Sequence, residues 1–289
     1  MTEPQWLAIG LAALLSGLIS LRSWRKRSLT PAGCFAAFVV GYTSTAIGAI
    51  GFVALITFFV SSTFITKIGK SVKAKIEQGY DPKGHRSAWQ VWCNGGAVVF
   101  MVGVRWALAA NDGEATVWAP VADPAKDPWA KLLIVMVVAH YAACQGDTWS
   151  SELGVLSRAP PRLITQPWRH VPAGTNGGVS LVGSVAAMAG GVLLGASCAM
   201  ALLLLPVANV GGAELIAVAV VASVGGSAVD SVLGALLQYS GVMPDGKIAN
   251  TPQKSASHIC GRPILSNNAV NFVSAALVVV GAAVVYAPA

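Results

Sequence analysis

Three acidic residues have surroundings that point to chemistry. Asp147 and Glu152 lie in the segment 145–154, directly after a long apolar run, and Asp230 stands alone in an uncharged stretch. Acidic groups in such surroundings are costly and indicate function. Five positions place Asp147 and Glu152 about 140° apart on a regular helix, so they share a ligand only if the helix ends or breaks there. Carboxylates suit Mg²⁺ that also holds substrate phosphates, and all three are predicted as metal ligands and catalytic residues.

Each acid also has an ordinary structural interpretation. Asp147 and Glu152 could mark a helix boundary with solvated side chains. Asp230 could be a structural acid that accepts a hydrogen bond from a neighbouring helix. Asp230, Gly234 and Gln238 recur every four residues, which places them on one helical face and favours a site over an isolated structural acid.

A glycine-rich segment, 172–180, lies just before another long apolar run and contains three glycines. Glycines let backbone N–H groups turn toward an anion, and the start of a helix adds its positive dipole end. Thr175 and Asn176 offer side-chain donors beside the N–H groups of Gly177 and Gly178. The segment predicts a phosphate-binding loop, with a capped turn as the alternative. It is not a Walker A loop, because no Gly-Lys-Ser/Thr follows.

Basic and amide side chains flank two further apolar runs. Lys67 and Lys70 close one run, and Arg86 opens the next. Gln90 and Asn94 are four positions apart, so they share a face of an apolar helix where two amides need partners. These residues predict a binding surface for phosphates, whereas the alternative for the basic ones is contact with lipid headgroups.

The composition identifies the environment of these residues. Of 289 residues, 55% are hydrophobic and 11% are charged, and the mean hydropathy is +0.65. A typical soluble domain carries roughly 25% charged residues, so this chain cannot cover a soluble globule of its size. The net charge of +7 does not indicate nucleic acid, because the basic residues lie beside apolar runs. The predicted fold is an all-α, polytopic membrane bundle forming a single domain over residues 1–289.

About eight membrane-spanning helices are predicted, each close to the roughly 20 apolar residues that a bilayer requires. The run 31–66 would be about 54 Å long as one helix, so Gly48 and Gly51 predict a tight turn that divides it. The other spans are 5–21, 89–110, 129–146, 179–205, 213–236 and 267–287.

The distribution of positive charge predicts the orientation of the chain in the membrane. The alternate loops 22–30, 67–88, 147–178 and 237–266 hold 16 of the 19 Lys and Arg residues. The positive-inside rule therefore predicts that these loops are cytosolic and that both termini lie outside the cytoplasm. The acids expected on the opposite face are Asp112, Glu114, Asp123, Asp127 and Glu214.

These motifs resemble the transmembrane protein 19 family, which includes the phytyl-phosphate kinase of the vitamin E pathway. The likeness covers residues 30–286, and Ser150 departs from it by standing where alanine is expected. The matching segments are 66–70, 86–95, 146–154, 161–165, 171–179 and 230–238.

The resemblance implies a membrane kinase that converts an isoprenyl monophosphate to the diphosphate with Mg²⁺ and a nucleoside triphosphate, CTP being the candidate. The expected partners are the lipid phosphate, the nucleotide and membrane lipids, and not nucleic acid. The residues expected to bind nucleotide and phosphate are Lys67, Lys70, Arg86, Asn94, Arg162, Thr175, Asn176, Gly177, Gly178 and Gln238.

Two other functions would require the same kinds of residues. A transporter also needs intramembrane acids and glycine-broken helices, and a cytidylyltransferase would act on the same lipid phosphate. The endoplasmic reticulum membrane is the expected location, with plastid and bacterial inner membranes as alternatives.

Overall fold

The computed structural model describes residues 3–79, 86–111, 128–204, 207 and 209–288, which form eight α-helices. Lys83, Asp112, Glu114, Asp123 and Asp127, which entered the predicted orientation, lie outside the described residues. The helices are α1 (Glu3–Arg25), α2 (Pro31–Ala46), α3 (Ala49–Ile76), α4 (Ala88–Asn111), α5 (Pro128–Gly154), α6 (Leu181–Leu204), α7 (Gly212–Leu237) and α8 (Asn267–Tyr286).

Within the described residues, six of these helices, α3 to α8, are long and apolar enough to cross a membrane. The predicted count of eight spans is therefore corrected to six, and the polytopic helical class is confirmed. Helix α2 has 16 residues, about 24 Å at 1.5 Å each, which is shorter than a hydrocarbon core of roughly 30 Å.

The turn between α2 and α3 forms where two glycines predicted it. Gly48 caps the start of α3 with φ of 112°, a backbone conformation that glycine adopts without strain. Gly51 lies inside α3, where a Cβ would collide with the carbonyl oxygen of Ser44. Gly48 therefore makes the turn, and Gly51 allows the two helices to approach closely behind it.

Helix α5 is the centre of the bundle. It packs against α3, α4, α6, α7 and α8, and Val135, Val138 and Tyr141 are fully buried along it. Its tyrosine hydroxyl makes a 2.6 Å hydrogen bond with the hydroxyl of Ser44 on α2. Because partners surround α5 on all sides, any polar group near its end faces protein or an internal cavity.

Two helices extend beyond the predicted limits of their spans. Helix α3 continues to Ile76 and α5 to Gly154, so Asp147 and Glu152 lie in the last two turns of a continuous helix and not in a loop. The extensions pack on each other because Gly69 lets α3 approach the backbone and side chain of Glu152. The hydropathy pattern placed the ends of both spans too early, because the extensions are polar. They are nevertheless helical, because each packs against the other.

Two small antiparallel sheets lie in the connections, and the all-α prediction did not include them. The first has strand order β2-β1-β3 and the second β5-β4-β6. Strands this short show no alternating pattern that sequence could reveal. They are β1 (Arg162–Leu163), β2 (Gln166–His170), β3 (Gly178–Val179), β4 (Ser240–Val242), β5 (Ile248–Ala249) and β6 (Ser257–Cys260).

The four connections predicted to share one side of the membrane touch one another. The backbone N–H of Thr30 donates to the carbonyl of Arg86 over 3.1 Å, and that of Gln78 donates to Ile248 over 2.9 Å. The Asn176 side chain donates to the carbonyl of Tyr239 over 3.0 Å. We call this end of the bundle, formed by the described parts of 22–30, 77–87, 155–180 and 238–266, the basic end.

Candidate functional site

A cavity of about 680 Å³ opens at the basic end of the bundle. Three kinds of side chain line it, namely carboxylates, basic and amide groups, and apolar groups. Each of the predicted acids Asp147, Glu152 and Asp230 is part of its wall. The cavity therefore contains the parts expected of a phosphate-handling site.

The carboxyl groups of Asp147 on α5 and Asp230 on α7 lie within hydrogen-bonding range of each other. They come together because α5 and α7 cross at glycine residues. A Cβ on Gly146 would collide with Ser223, and one on Gly226 would lie 2.7 Å from the Cβ of Ala143. Small residues of this kind let helix backbones approach closely, so the glycines beside the acids set the distance between them.

Other groups fix the two carboxylates in place. The hydroxyl of Ser274 on α8 donates to Asp230 over 3.3 Å. The hydroxyls of Ser227 and Ser150 hydrogen-bond over 2.7 Å between α7 and α5, so the serine that departs from the family pattern has a partner. The pair is thus held by three helices.

Two carboxylates at this separation repel each other unless a proton or a cation lies between them. Mg²⁺ binds in many proteins through one or two carboxylates together with substrate phosphates and water. The Asp147–Asp230 pair fits that requirement. Among the described residues, no group of three His, Cys, Asp or Glu side chains could hold a metal ion, so the three predicted metal ligands are not gathered around one point.

Glu152 is held away from the aspartate pair by a lysine. Lys73 on α3 makes a 3.1 Å ion pair with Glu152, and both side chains are nearly buried, at 13% and 11% exposed. The other carboxylate oxygen, Oε2, is buried and has no hydrogen-bond partner within the described part of the chain. Glu152 therefore positions a cation at the cavity wall and keeps one oxygen free for a ligand.

Two more charged residues complete this cluster at the ends of helices. Arg86 precedes α4, and Glu77 follows α3. Burial lowers the pKa of Arg86, while nearby Glu152 acts in the opposite direction. Burial raises the pKa of Glu77, Lys73 lowers it, and Glu152 raises it. Two cations and two acids thus share a poorly solvated space, where an added phosphate would interact strongly.

The glycine-rich loop reaches the cavity, but the side chains of Thr175 and Asn176 already donate hydrogen bonds to other protein groups. The Thr175 hydroxyl donates to Pro172 over 2.8 Å, and the Asn176 amide donates to Tyr239 over 3.0 Å. Gly177 has φ of 74°, and a Cβ there would meet Ala235 and the Ser231 carbonyl. The loop can therefore lie flat on α7 beside Asp230. Three of its backbone N–H groups have partners: those of Thr175 and Gly178 donate to carbonyls within the loop, and that of Asn176 donates to the Ser240 hydroxyl.

Several predicted binding residues line the cavity, and three do not. Asn94, Arg86 and Gln238 are in its wall, together with Thr175, Asn176, Gly177 and Gly178. Lys67 and Lys70 are exposed and outside the lining. Arg162 is also exposed and donates to the Pro167 carbonyl over 2.8 Å. The segment 66–70 meets the site through Thr66, which lines the cavity, and through Gly69, which packs against Glu152.

Sequence reasoning did not assign many residues of the lining to the site, among them Lys73, Glu77, Asn250, Asn267, Asn268 and Asn271. A helical pattern could have found some of them. Ser62, Thr66, Lys73 and Glu77 follow at intervals of four, seven and four, and Asn267 and Asn271 are four apart. Such intervals return to the same face of a helix. Asn250, in a loop, carries no such signal.

An apolar extension of the cavity runs along α3 between α1, α2 and α4. Leu55, Ile56, Phe58 and Phe59 form one side of it. The 18 residues from Leu55 to Lys73 rise about 27 Å on a helix, which is close to the roughly 30 Å thickness of a hydrocarbon core. The cavity therefore has a charged head and a long apolar body, which suits an amphiphilic ligand.

The fold and this cavity define a polytopic helical membrane protein with a charged site at one end. The family profile described as "Integral membrane protein DUF92" matches residues 14–279. The chain therefore belongs to this integral membrane family, and the family resemblance drawn from its motifs is confirmed.

Relatives occur in plants, bacteria and archaea. The chain is 36% identical to "Protein PGR" of Arabidopsis thaliana, with 94% of each chain covered. It is 31% identical to an uncharacterised membrane protein of Synechocystis, over 65% of this chain and 66% of the relative. A similar protein of Methanocaldococcus jannaschii is 31% identical over 40% of this chain and 43% of its own. No solved structure shows significant similarity.

Proposed function

We propose that this protein is a membrane kinase that transfers a phosphoryl group from a nucleoside triphosphate to an isoprenyl monophosphate. The observation that carries the proposal is the composition of one cavity, where an aspartate pair, two cations and a long apolar extension meet. A lipid phosphate has the matching parts, a charged head and a hydrocarbon tail. The resemblance to a family with an isoprenyl-phosphate kinase supports the same substrate class.

The reaction needs little covalent chemistry from the protein, because phosphoryl transfer depends mainly on positioning and charge neutralisation. An oxygen of the lipid phosphate attacks the terminal phosphorus of the donor, the bond from that phosphorus to the bridging oxygen breaks, and the nucleoside diphosphate leaves. The attacking oxygen is already ionised near neutral pH, so no general base is required. Mg²⁺ held by Asp147 and Asp230 would neutralise the charge of the donor phosphates.

The basic residues have separate tasks in this proposal. Lys73 lies on α3, which also carries the apolar lining residues Leu55 to Phe59, and Arg86 directly precedes α4. These two cations are therefore assigned to the phosphate of the lipid. Glu152 holds Lys73 in place and is a positioning residue. The backbone N–H of Gly177, which lies against Ser231 of α7 next to Asp230, would bind the donor phosphates, whereas that of Gly178 donates to the Thr175 carbonyl over 3.0 Å.

Replacing Lys73 by methionine is expected to raise KM for the lipid phosphate by about 10- to 100-fold, which corresponds to the roughly 1.5–3 kcal/mol of a hydrogen bond to a charged group. Lys70→Met is the matched control, because Lys70 lies on the same helix but is exposed. Lys73→Arg should recover part of the affinity. Equal KM values for Lys73→Met and Lys70→Met in steady-state kinetics would contradict the assignment of Lys73.

The direct test is product identification. Purified protein is incubated with phytyl or geranylgeranyl monophosphate, Mg²⁺ and each nucleoside triphosphate in turn. A kinase yields the lipid diphosphate and a nucleoside diphosphate, whereas a cytidylyltransferase yields pyrophosphate. Lipid phosphate left unchanged by every nucleotide, together with its uptake into sealed vesicles, would overturn the proposal in favour of a transporter.

A further inference from the structure

Four asparagines from the last part of the chain line the cavity. They are Asn267, Asn268 and Asn271 at the start of α8, and Asn250 from the loop after β5, whose side-chain oxygen accepts a 3.4 Å hydrogen bond from Asn176. We call these four residues the amide lobe. Asn267 is exposed, and Asn268 and Asn271 are half-buried beside the cavity.

The asparagines are confined to the part of α8 that faces the cavity. From Ala275 to Tyr286 the helix contains only apolar residues, glycine and the terminal tyrosine. Amides are unusual on a helix as apolar as α8, which is among the six described helices that could span a membrane. Three amides in five positions, all in the cavity wall, give the cavity a polar and uncharged surface at this place.

One residue links the amide lobe to the aspartate pair. The hydroxyl of Ser274 donates to Asp230 over 3.3 Å and lies 3.1 Å from the carbonyl oxygen of Asn271, one turn earlier. A ligand whose phosphates lie at Asp147 and Asp230 would therefore extend its next polar part along the asparagine face of α8.

The chemistry of the lobe selects the kind of group that it can bind. Its four members are all neutral, whereas the cations of the cavity, Lys73 and Arg86, lie on α3 and just before α4. Each amide offers both donors and an acceptor, which suits sugar hydroxyls and the edge of a nucleobase. A hydrocarbon tail would gain nothing here, and phosphates would find no opposite charge.

We propose that the amide lobe binds the nucleoside of the phosphoryl donor. This inference rests on the proposed kinase function and adds the place where the donor's sugar and base lie. The two substrates then enter the aspartate pair from different sides, the lipid phosphate from α3 and α4 and the nucleotide from α8.

Kinetics of the double variant Asn268→Leu/Asn271→Leu tests the inference, because leucine replaces the amides at similar volume. We expect KM for the nucleoside triphosphate to rise about tenfold or more, the loss of one to two net hydrogen bonds, with KM for the lipid phosphate unchanged. Phe272→Leu is the matched control, since that side chain is next to Asn271 on α8 but is exposed. Unchanged nucleotide KM, or an equal rise in both KM values, would overturn the inference.

A measurement on the unaltered protein covers the case in which the variant does not fold. Protection from thermal aggregation is compared for a nucleoside triphosphate and for inorganic tripolyphosphate, at equal concentration and with Mg²⁺. The nucleotide should protect at a lower concentration, and equal protection would count against a nucleoside site. If the unaltered protein transfers no phosphoryl group from any nucleotide, the kinase proposal fails; if it does and the variant keeps its nucleotide KM, only this inference fails.

Discussion

Asp147→Asn and Asp230→Asn are each expected to lower phosphoryl transfer by about 1000-fold or more, the upper part of the range for loss of one electrostatic group at a reacting centre. The physical reason is that an amide keeps the shape of the side chain but removes the charge that would hold Mg²⁺. The two carboxyl groups lie within hydrogen-bonding range of each other. Either replacement also removes their repulsion, so the variants should be at least as stable as the unaltered protein.

The combination of lost activity and retained stability distinguishes a ligand pair from structural acids. Turnover and the midpoint of thermal aggregation are measured on the same preparations. Asp245→Asn is the control, because Asp245 is exposed in the turn between β4 and β5, where it accepts a hydrogen bond from Lys247 over 3.1 Å. Normal rates in both pair variants would remove the aspartate pair from the mechanism. Activity and stability that fall together would assign it a structural role.

The helices could be predicted from sequence because each is an apolar run of nearly the length that a bilayer requires. Their ends could not be predicted in the same way. Asp147 and Glu152 continue α5 because α3 packs against the polar extension through Gly69, and hydropathy contains no information about such a partner. The strands of the basic end, for example Arg162–Leu163, are defined by pairing between distant segments, which no local pattern reveals.

The acids of the site were identifiable because a charge in an apolar segment is conspicuous. Their partners were not. Lys73 resembles its neighbours Lys67, Lys70 and Lys75 in sequence, and only the facing carboxylate of Glu152 distinguishes it. The same contact explains why Glu152 lies apart from the aspartate pair. Which of several lysines faces the cavity depends on the rotation of α3 about its own axis, and the packing of α3 against its neighbours sets that rotation.

The closeness of the aspartate pair depends on the glycines of the α5–α7 crossing, and two adjacent glycines of α7 allow a matched test. A Cβ on Gly226 would lie 2.7 Å from the Cβ of Ala143, whereas a Cβ on Gly225 would meet nothing within 4 Å. Gly226→Ala is expected to destabilise the protein by about 1–3 kcal/mol, the usual cost of overpacking. Gly225→Ala should be neutral or stabilising by up to about 1 kcal/mol, since alanine favours a helix.

Activity should separate the two variants further, because Gly226 lies one turn before Asp230 on the same face of α7. A methyl group there forces α5 and α7 apart, and a misplacement of about 1 Å at a reacting centre can cost about 100-fold in rate. The comparison requires turnover and thermal stability for Gly225→Ala and Gly226→Ala under one set of conditions. Similar values for the two variants would mean that the crossing tolerates separation, and the glycines would then not control the geometry of the aspartate pair.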